Sequence, residues 1–260
     1  MLIPEYVKGH NLLAGKSVLI TAAAGAGIGY AAAIKAAEEG CRALMISDIH
    51  DGRLNEAAEK IKDETGMEAV YTHVCNVTVE DDVQSLIAAA EQQLSGVDVL
   101  INNAGLGGSK LLVEMEDKEW DRVLDVTLTG TMRMTRAMLP KMMERKSGAI
   151  VNNASVLGWR AQKEQAHYAA AKAGVMALTR CSAVEAAEYG IRINAVSPSI
   201  ALHDFLRKSA PQDLLDQLAS REAFGRAAEV WEIANIMMFL ASDYSSYLAG
   251  EVISASSQRA

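Results

Sequence analysis

The chain has 260 residues, half of them hydrophobic and 22% charged, with a formal net charge of −8. That provides enough apolar surface for a large core, and the acidic balance argues against binding nucleic acid or an anionic membrane electrostatically. With no leader pattern in "MLIPEYVKGHNLLA", no apolar run long enough to span a bilayer, and Cys41, Cys75 and Cys181 forming no C-x-x-C pair, the expectation is a cytoplasmic small-molecule protein with buried, reduced cysteines and no metal site.

Strand-like runs alternate with helical ones throughout. "SVLIT" (17–21) reads as the first strand, and "TAAAGAGIGYA" (21–31) leads from it into an alanine-rich helix. A helix N-terminus offers unpaired N–H groups and a positive dipole end, so Gly27 and Gly29 stand where a phosphate cradle belongs; a tight turn is the other reading. "RALMIS" (42–47) is the second strand, and Asp48 follows it. A carboxylate there accepts hydrogen bonds from both ribose hydroxyls and repels a ribose phosphate. Ile49 and His50 add no cation, which favours NAD over NADP. The alternative is that Asp48 caps the helix starting near Asp51.

Gly40 and Gly66 read as helix stops. "AVYTHV" (69–74), "VDVLIN" (97–102), "GAIVNNA" (148–154), "IRINAV" (191–196) and "EVIS" (251–254) are the remaining strands, and the methionine-rich "MRMTRAMLPKMM" (132–143) reads as core packing, with an adaptable interface as the other reading. Such alternation predicts an α/β protein: a single-domain, Rossmann-like, doubly wound parallel sheet of about seven strands with helices on both faces. It spans 1–260 as one domain.

In such a sheet the chemistry lies beyond the carboxyl ends of the strands. "SVLGWRAQKEQAHYAAAKAG" (155–174) holds the strongest local signal, Tyr168 and Lys172 four residues apart on one helical face. A neighbouring ammonium favours phenolate, so this tyrosine is a candidate acid/base, and Ser155, at a strand end, can meet the same substrate oxygen.

Taken together, "TAAAGAGIG", Asp48, "NNAG" (102–105), Ser155, "YAAAK" and "INAVSP" (193–198) resemble the short-chain dehydrogenase/reductase family, from about residue 14 to 254. That resemblance implies that Gly27, Ile28 and Gly29 meet a pyrophosphate and that Asp48 holds the adenosine ribose. Asn76 and Val77 would flank adenine, and Asn103, Ala104 and Gly105 would line the cofactor cleft. Ser155 would polarise the substrate oxygen, Tyr168 act as acid/base, and Lys172 tune Tyr168 and bind the nicotinamide ribose. It also implies a homotetramer built through the Tyr168 helix and the "VTLTGTMRMTRAMLPKMM" helix.

The chain departs from the family pattern in places. Ala23 replaces the first loop glycine after an alanine inserted behind Thr21. Thr127 stands where an asparagine usually continues a proton relay, and its hydroxyl is expected to substitute in part. Ser199, His203 and Asn76 also differ, and the chain closes "GEVISASSQRA" without a diglycine.

A substrate lid is expected at about 199–225. His203, Phe205, Leu206 and Trp159 suit an apolar, bulky or cyclic substrate, and Arg160, Lys163, Arg207 and Lys208 a carboxylate or coenzyme A phosphates, unless these are solvated surface charges. The combined "TAAAGAGIG", "DVTLTGT", "SPSIALHDF" and "ISASSQRA" further resembles a subgroup of bacterial short-chain dehydrogenases from steroid side-chain and C/D-ring degradation. This implies NAD-linked interconversion of a secondary alcohol and a ketone on a bicyclic hydroxy-methyl-indane acyl-CoA. The alternatives are a 3-oxoacyl-thioester reductase preferring NADPH, and a catalytically weak cofactor-binding scaffold or sensor.

Overall fold

In a computed structural model, the described residues are 3–203, 206–207 and 212–257. The strands are β1 (Ser17–Thr21), β2 (Ala43–Asp48), β3 (Val70–Val74), β4 (Val99–Asn102), β5 (Gly148–Asn153), β6 (Ile191–Pro198), β7 (Ala201–Leu202), β8 (Ala228–Glu229) and β9 (Val252–Ala255). Seven of them form one parallel sheet in the order β3-β2-β1-β4-β5-β6-β9. All seven predicted strands form, each within two residues of its expected bounds.

The strands read as unbroken apolar runs because both faces of the sheet are covered. Val18 and Ile20 of β1 point into one core with Ala32, Leu54 and Met237. Leu19, between them, points into the opposite core with Leu86, Met134 and Met138. Helices α1 (Ile28–Glu38), α2 (Asp51–Thr65) and α8 (Val230–Ala241) cover the first face; α3 (Glu80–Gln93), α5 (Gly130–Arg145) and α6 (Ala166–Ala187) cover the second. Met134, Met138 and Met142 recur at four-residue spacing and are buried, which makes the methionine cluster core packing.

Gly66 ends α2 in the left-handed conformation, with φ 71°, and Gly40 follows α1 with φ 79°, as a helix stop requires. The cysteine expectation holds for Cys41 and Cys75 but not for Cys181, which is exposed. The inward positions of α6 around it are Thr179, Ser182, Ala183 and Ala186, so the helical period turns residue 181 outward.

Between β1 and β4 the strand order reverses, because β1 pairs with β2 on one side and β4 on the other. The loops following β1, β4 and β5 therefore meet over one crevice at the carboxyl edge of the sheet. Beyond β6, β7 pairs with β8 in a short parallel ribbon that brackets α7 (Gln212–Arg221). Phe205 and Lys208, expected in the lid, lie outside the described residues.

Candidate active site

The turn after β1 is built around the inserted residue. Ala22 takes φ 52°, a left-handed conformation uncommon for alanine, and Gly25 takes φ 126°. The chain thereby makes its extra loop residue into a bend and returns in register, with the Ala23 N–H donating to the Ser47 carbonyl at 3.1 Å. Gly27 is the N-cap of α1 and carries no side-chain cap, and the position a Cβ would take there is open space. Gly29 is enclosed: a Cβ would collide with the Ala22 carbonyl and with Asn103 Nδ2. Ile28 is half-buried against the core beneath.

Asn103 fastens this turn to the strand beside it. Its Nδ2 donates to the carbonyls of Thr21 (3.2 Å) and Ala22 (3.0 Å), while Thr21 Oγ1 accepts from the N–H groups of Asn103 and Ala104 at 3.0 and 3.1 Å. Asn153, at the end of β5, donates from Nδ2 to Asn103 Oδ1 at 2.9 Å, so three neighbouring strand ends are tied together.

Asp48 is partly buried at the end of β2. Its Oδ2 accepts from the Ala24 N–H and its Oδ1 from the His50 N–H, both at 3.2 Å. Burial pushes its carboxyl above the usual range, and the Ala24 N–H, Arg53 and the Ile49 N–H pull it back. His50 is the N-cap of α2 and carries no side-chain cap, and Asp48 meets the helix only through the His50 N–H. Near it opens a cleft of about 450 Å³ lined by Ile49, Asn76, Thr78, Arg122 and Val126 together with Asp121 and Asp125. Asn76 reaches this cleft; the Val77 side chain instead packs in the core against Gly130.

Beyond β5, Ser155 caps a short turn by accepting the Leu157 N–H at 3.2 Å, which fixes its hydroxyl at the strand end. The Ser155 hydroxyl stands near enough to Tyr168 to draw its phenol downward. Lys172 is buried one turn further along α6; its Nζ lies 5.6 Å from the Tyr168 ring centroid and donates to the Asn153 carbonyl at 2.5 Å. Burial dominates both groups: it raises the Tyr168 phenol above its ordinary value, against the downward pull of Ser155, and lowers Lys172 to about 8. The expected stabilisation of phenolate by the neighbouring ammonium is therefore outweighed, and Tyr168 is poised as an acid.

Thr127 departs from its expected role. It lies on a π-helical turn, Asp125–Thr129, between α4 (Asp117–Leu124) and α5, and is fully buried. Its Oγ1 accepts from the Leu106 N–H at 2.9 Å and donates to the Leu106 carbonyl at 3.1 Å, which spends its only proton on the loop after β4. It positions that loop beside Lys172 and is not a relay hydroxyl. Thr127→Val, which keeps the shape and leaves both Leu106 groups without a partner, is expected to lower stability by about 1–3 kcal/mol in a chemical denaturation series.

Sequence reading missed two further residues. Asn153 supports both Asn103 and Lys172, and "NNAS" was its only signal. Glu164, at φ 68°, clamps the loop after β4 through Ser109 and Lys110. Trp159 is half exposed, and Arg160 lies beside Ser256 of the closing segment, Nη1 to Oγ at 3.5 Å. Ser199 donates its N–H to the Ala255 carbonyl, and His203 accepts the Leu206 N–H.

Over residues 22–257 the chain matches the model of the family described as enoyl-(acyl carrier protein) reductase. Across almost its whole length it is also 55% identical to a short chain dehydrogenase from Mycobacterium smegmatis, whose crystal structure superposes with a TM-score of 0.88 and shares 99% of this chain and 98% of that one. The chain belongs to the short-chain dehydrogenase/reductase family. As a short-chain dehydrogenase/reductase it is an oxidoreductase, and the family's nicotinamide cofactor suits the uncapped α1 N-terminus, the open space at Gly27 and the acceptor-only Asp48.

Two curated relatives bracket its chemistry. It is 59% identical, over 98% of this chain and 97% of the relative, to a Mycobacterium tuberculosis protein named (5R,7aS)-5-hydroxy-7a-methyl-1-oxo-2,3,5,6,7,7a-hexahydro-1H-indene-carboxyl-CoA reductase. It is 37% identical, over 93% and 96%, to a Thermotoga maritima 3-oxoacyl-[acyl-carrier-protein] reductase.

Proposed function

We propose that the protein interconverts a ring ketone and a secondary alcohol on a bicyclic hydroxy-methyl-indane acyl-CoA, with NAD(H) as cofactor. The observation that carries the substrate class is the 59% identity, end to end, with the indene-carboxyl-CoA reductase. Ser155, Tyr168 and Lys172 carry the chemistry. When bound, the nicotinamide supplies or takes the hydride. Ser155 and Tyr168 bracket the carbonyl oxygen, and Tyr168 delivers its proton there as negative charge develops. Lys172 lies by the ring of Tyr168, its Nζ donating to the Asn153 carbonyl, where it would hold one ribose hydroxyl of the cofactor. Gly27, Ile28 and Gly29 receive the pyrophosphate, Asn76 borders adenine, and Asn103, Ala104 and Gly105 line the nicotinamide side.

Cofactor choice rests on Asp48. An ionised carboxylate held by two backbone N–H groups accepts ribose hydroxyls and repels a ribose phosphate, while the nearby Arg53 works in the opposite sense. Wild type is expected to favour NADH over NADPH, and Asp48→Ser to lower that ratio by at least about tenfold, read from kcat/KM with each cofactor. The 37% identity to a 3-oxoacyl-thioester reductase supports a second reading. Following reduced-nicotinamide absorbance with the indane thioester and with acetoacetyl thioesters separates the two. Turnover of short thioesters alone, with NADPH, would establish the second reading and remove the role given to Asp48.

The assembly we propose is a cytoplasmic homotetramer joined through α5 and α6, which light scattering on the purified protein tests; a monomer refutes it.

A further inference from the structure

We infer that Gly107 sets the size of substrate admitted to Tyr168, an inference resting on the ring-substrate reading above. The loop after β4 runs "GLGGSK" (105–110) along the catalytic face of α6. Three of its residues are glycine, and none of them takes the left-handed conformation that would require one. Their reasons lie in what a side chain would meet. At Gly108 a Cβ would come within 2.9 Å of Nε2 of the buried His167, so packing demands glycine there. At Gly105 a Cβ would sit 3.4 Å from Lys172 Nζ, on the side given to the cofactor.

Gly107 has neither reason. A Cβ there fits in ordinary contact, 3.7 Å from Cδ2 and 3.9 Å from Cε2 of Tyr168, and Gly107 is exposed. Neither backbone nor core forbids a side chain; what its absence leaves bare is the ring edge of Tyr168 next to the reacting hydroxyl.

Hydrogen bonds hold the loop in place on both sides of Gly107. On one side of Gly107, Leu106 is held at both its N–H and its carbonyl by Thr127. On the other, the Gly108 carbonyl accepts from Gln165 Nε2 at 2.6 Å, the Lys110 N–H donates to the Glu164 carbonyl at 3.0 Å, and Ser109 Oγ donates to Glu164 Oε2 at 2.5 Å. A side chain grown at 107 would therefore project over Tyr168, into the space a ring fused beside the carbonyl has to occupy. A linear 3-oxoacyl chain approaches the same oxygen with less bulk next to it.

The test compares wild type, Gly107→Ala and Gly107→Leu on the bicyclic thioester, on acetoacetyl-CoA, and on linear, monocyclic and bicyclic ketones lacking coenzyme A. Gly107→Leu is expected to lower kcat/KM on bicyclic substrates by at least about tenfold, mainly through KM, with linear substrates within about threefold and alanine in between. Cofactor affinity and thermal midpoint serve as controls and are expected to stay unchanged. Equal losses on linear and bicyclic substrates, or no loss on bicyclic ones, overturn the inference. If wild type fails on the bicyclic thioester, the substrate reading falls instead, and the coenzyme-free ketone series still decides the role of Gly107.

Discussion

Tyr168→Phe is expected to lower kcat for ketone reduction by about 10²- to 10⁴-fold, with NADH affinity unchanged within about twofold. Only one oxygen is removed, and the ring that packs beside Gly107 and near Lys172 Nζ stays. If the reacting carbonyl takes its proton from this phenol, the loss falls on the chemical step; if Tyr168 only fills space, the variant keeps its rate. A residual kcat within tenfold of wild type would end the acid/base assignment.

The pH profile gives an independent check on the same residue. Burial holds the phenol above its ordinary value, so the protonated form dominates at neutral pH and reduction needs no prior titration of Tyr168. Alcohol oxidation needs the phenolate, which is scarce at neutral pH, and is expected to accelerate as pH rises. Reduction is expected to weaken above about 8, where Lys172 loses its proton. Initial rates in both directions across pH read the two trends, and opposite slopes would sink the assignment.

Much of this architecture was legible because its signals are local. β1 and β2 are short, continuous apolar runs, as strands covered on two faces must be. Asp48, Ser155 and Tyr168 stand at strand ends or at helical spacing, where position in sequence fixes position in space. What sequence hid depends on contacts between distant segments. The left-handed Ala22 carries no propensity signal, since alanine is uncommon there and Asn103, eighty-one residues away, helps hold it. The π-turn at Asp125–Thr129 turns the hydroxyl of Thr127 toward Leu106, a pairing that spacing along one helix cannot disclose. Lys35 looks like an ordinary helix-surface cation and is buried. Its Nζ donates to the Val7 carbonyl and to Glu38 under the ring of Tyr6, because the N-terminal stretch folds across α1. Cys181 failed for the simplest reason: burial tendency by residue type says nothing of which side of α6 a position occupies.

Lys172→Met is expected to abolish most activity, by at least about 10²-fold, while changing the pH dependence of stability in a defined direction. The wild-type ammonium is driven by burial from 10.5 down to about 8, so the folded protein binds this proton less tightly than the unfolded chain does. Above pH 10.5 both states are neutral and the site carries no penalty. As pH falls toward 8 the unfolded chain gains a proton that the folded protein resists, and below 8 the full penalty applies, on the order of 3 kcal/mol. Methionine cannot charge, so it removes that penalty at neutral pH, offset by the bond lost from the Asn153 carbonyl. Wild type alone would not show the effect, because Cys41 and Cys75, raised to about 12, and the raised Tyr168 destabilise the fold as pH climbs through the same window. Cys41 and Cys75 are common to both proteins and cancel in the difference between them, and Tyr168, raised above 10, stays protonated through most of that window. The stability of Lys172→Met relative to wild type is therefore expected to fall by up to about 3 kcal/mol between pH 8 and 10.5, measured by paired denaturant titrations of the cofactor-free proteins. A difference that stays constant across that range would mean that Lys172 keeps its ordinary pKa in the folded protein, and that burial does not set the chemistry of the pair.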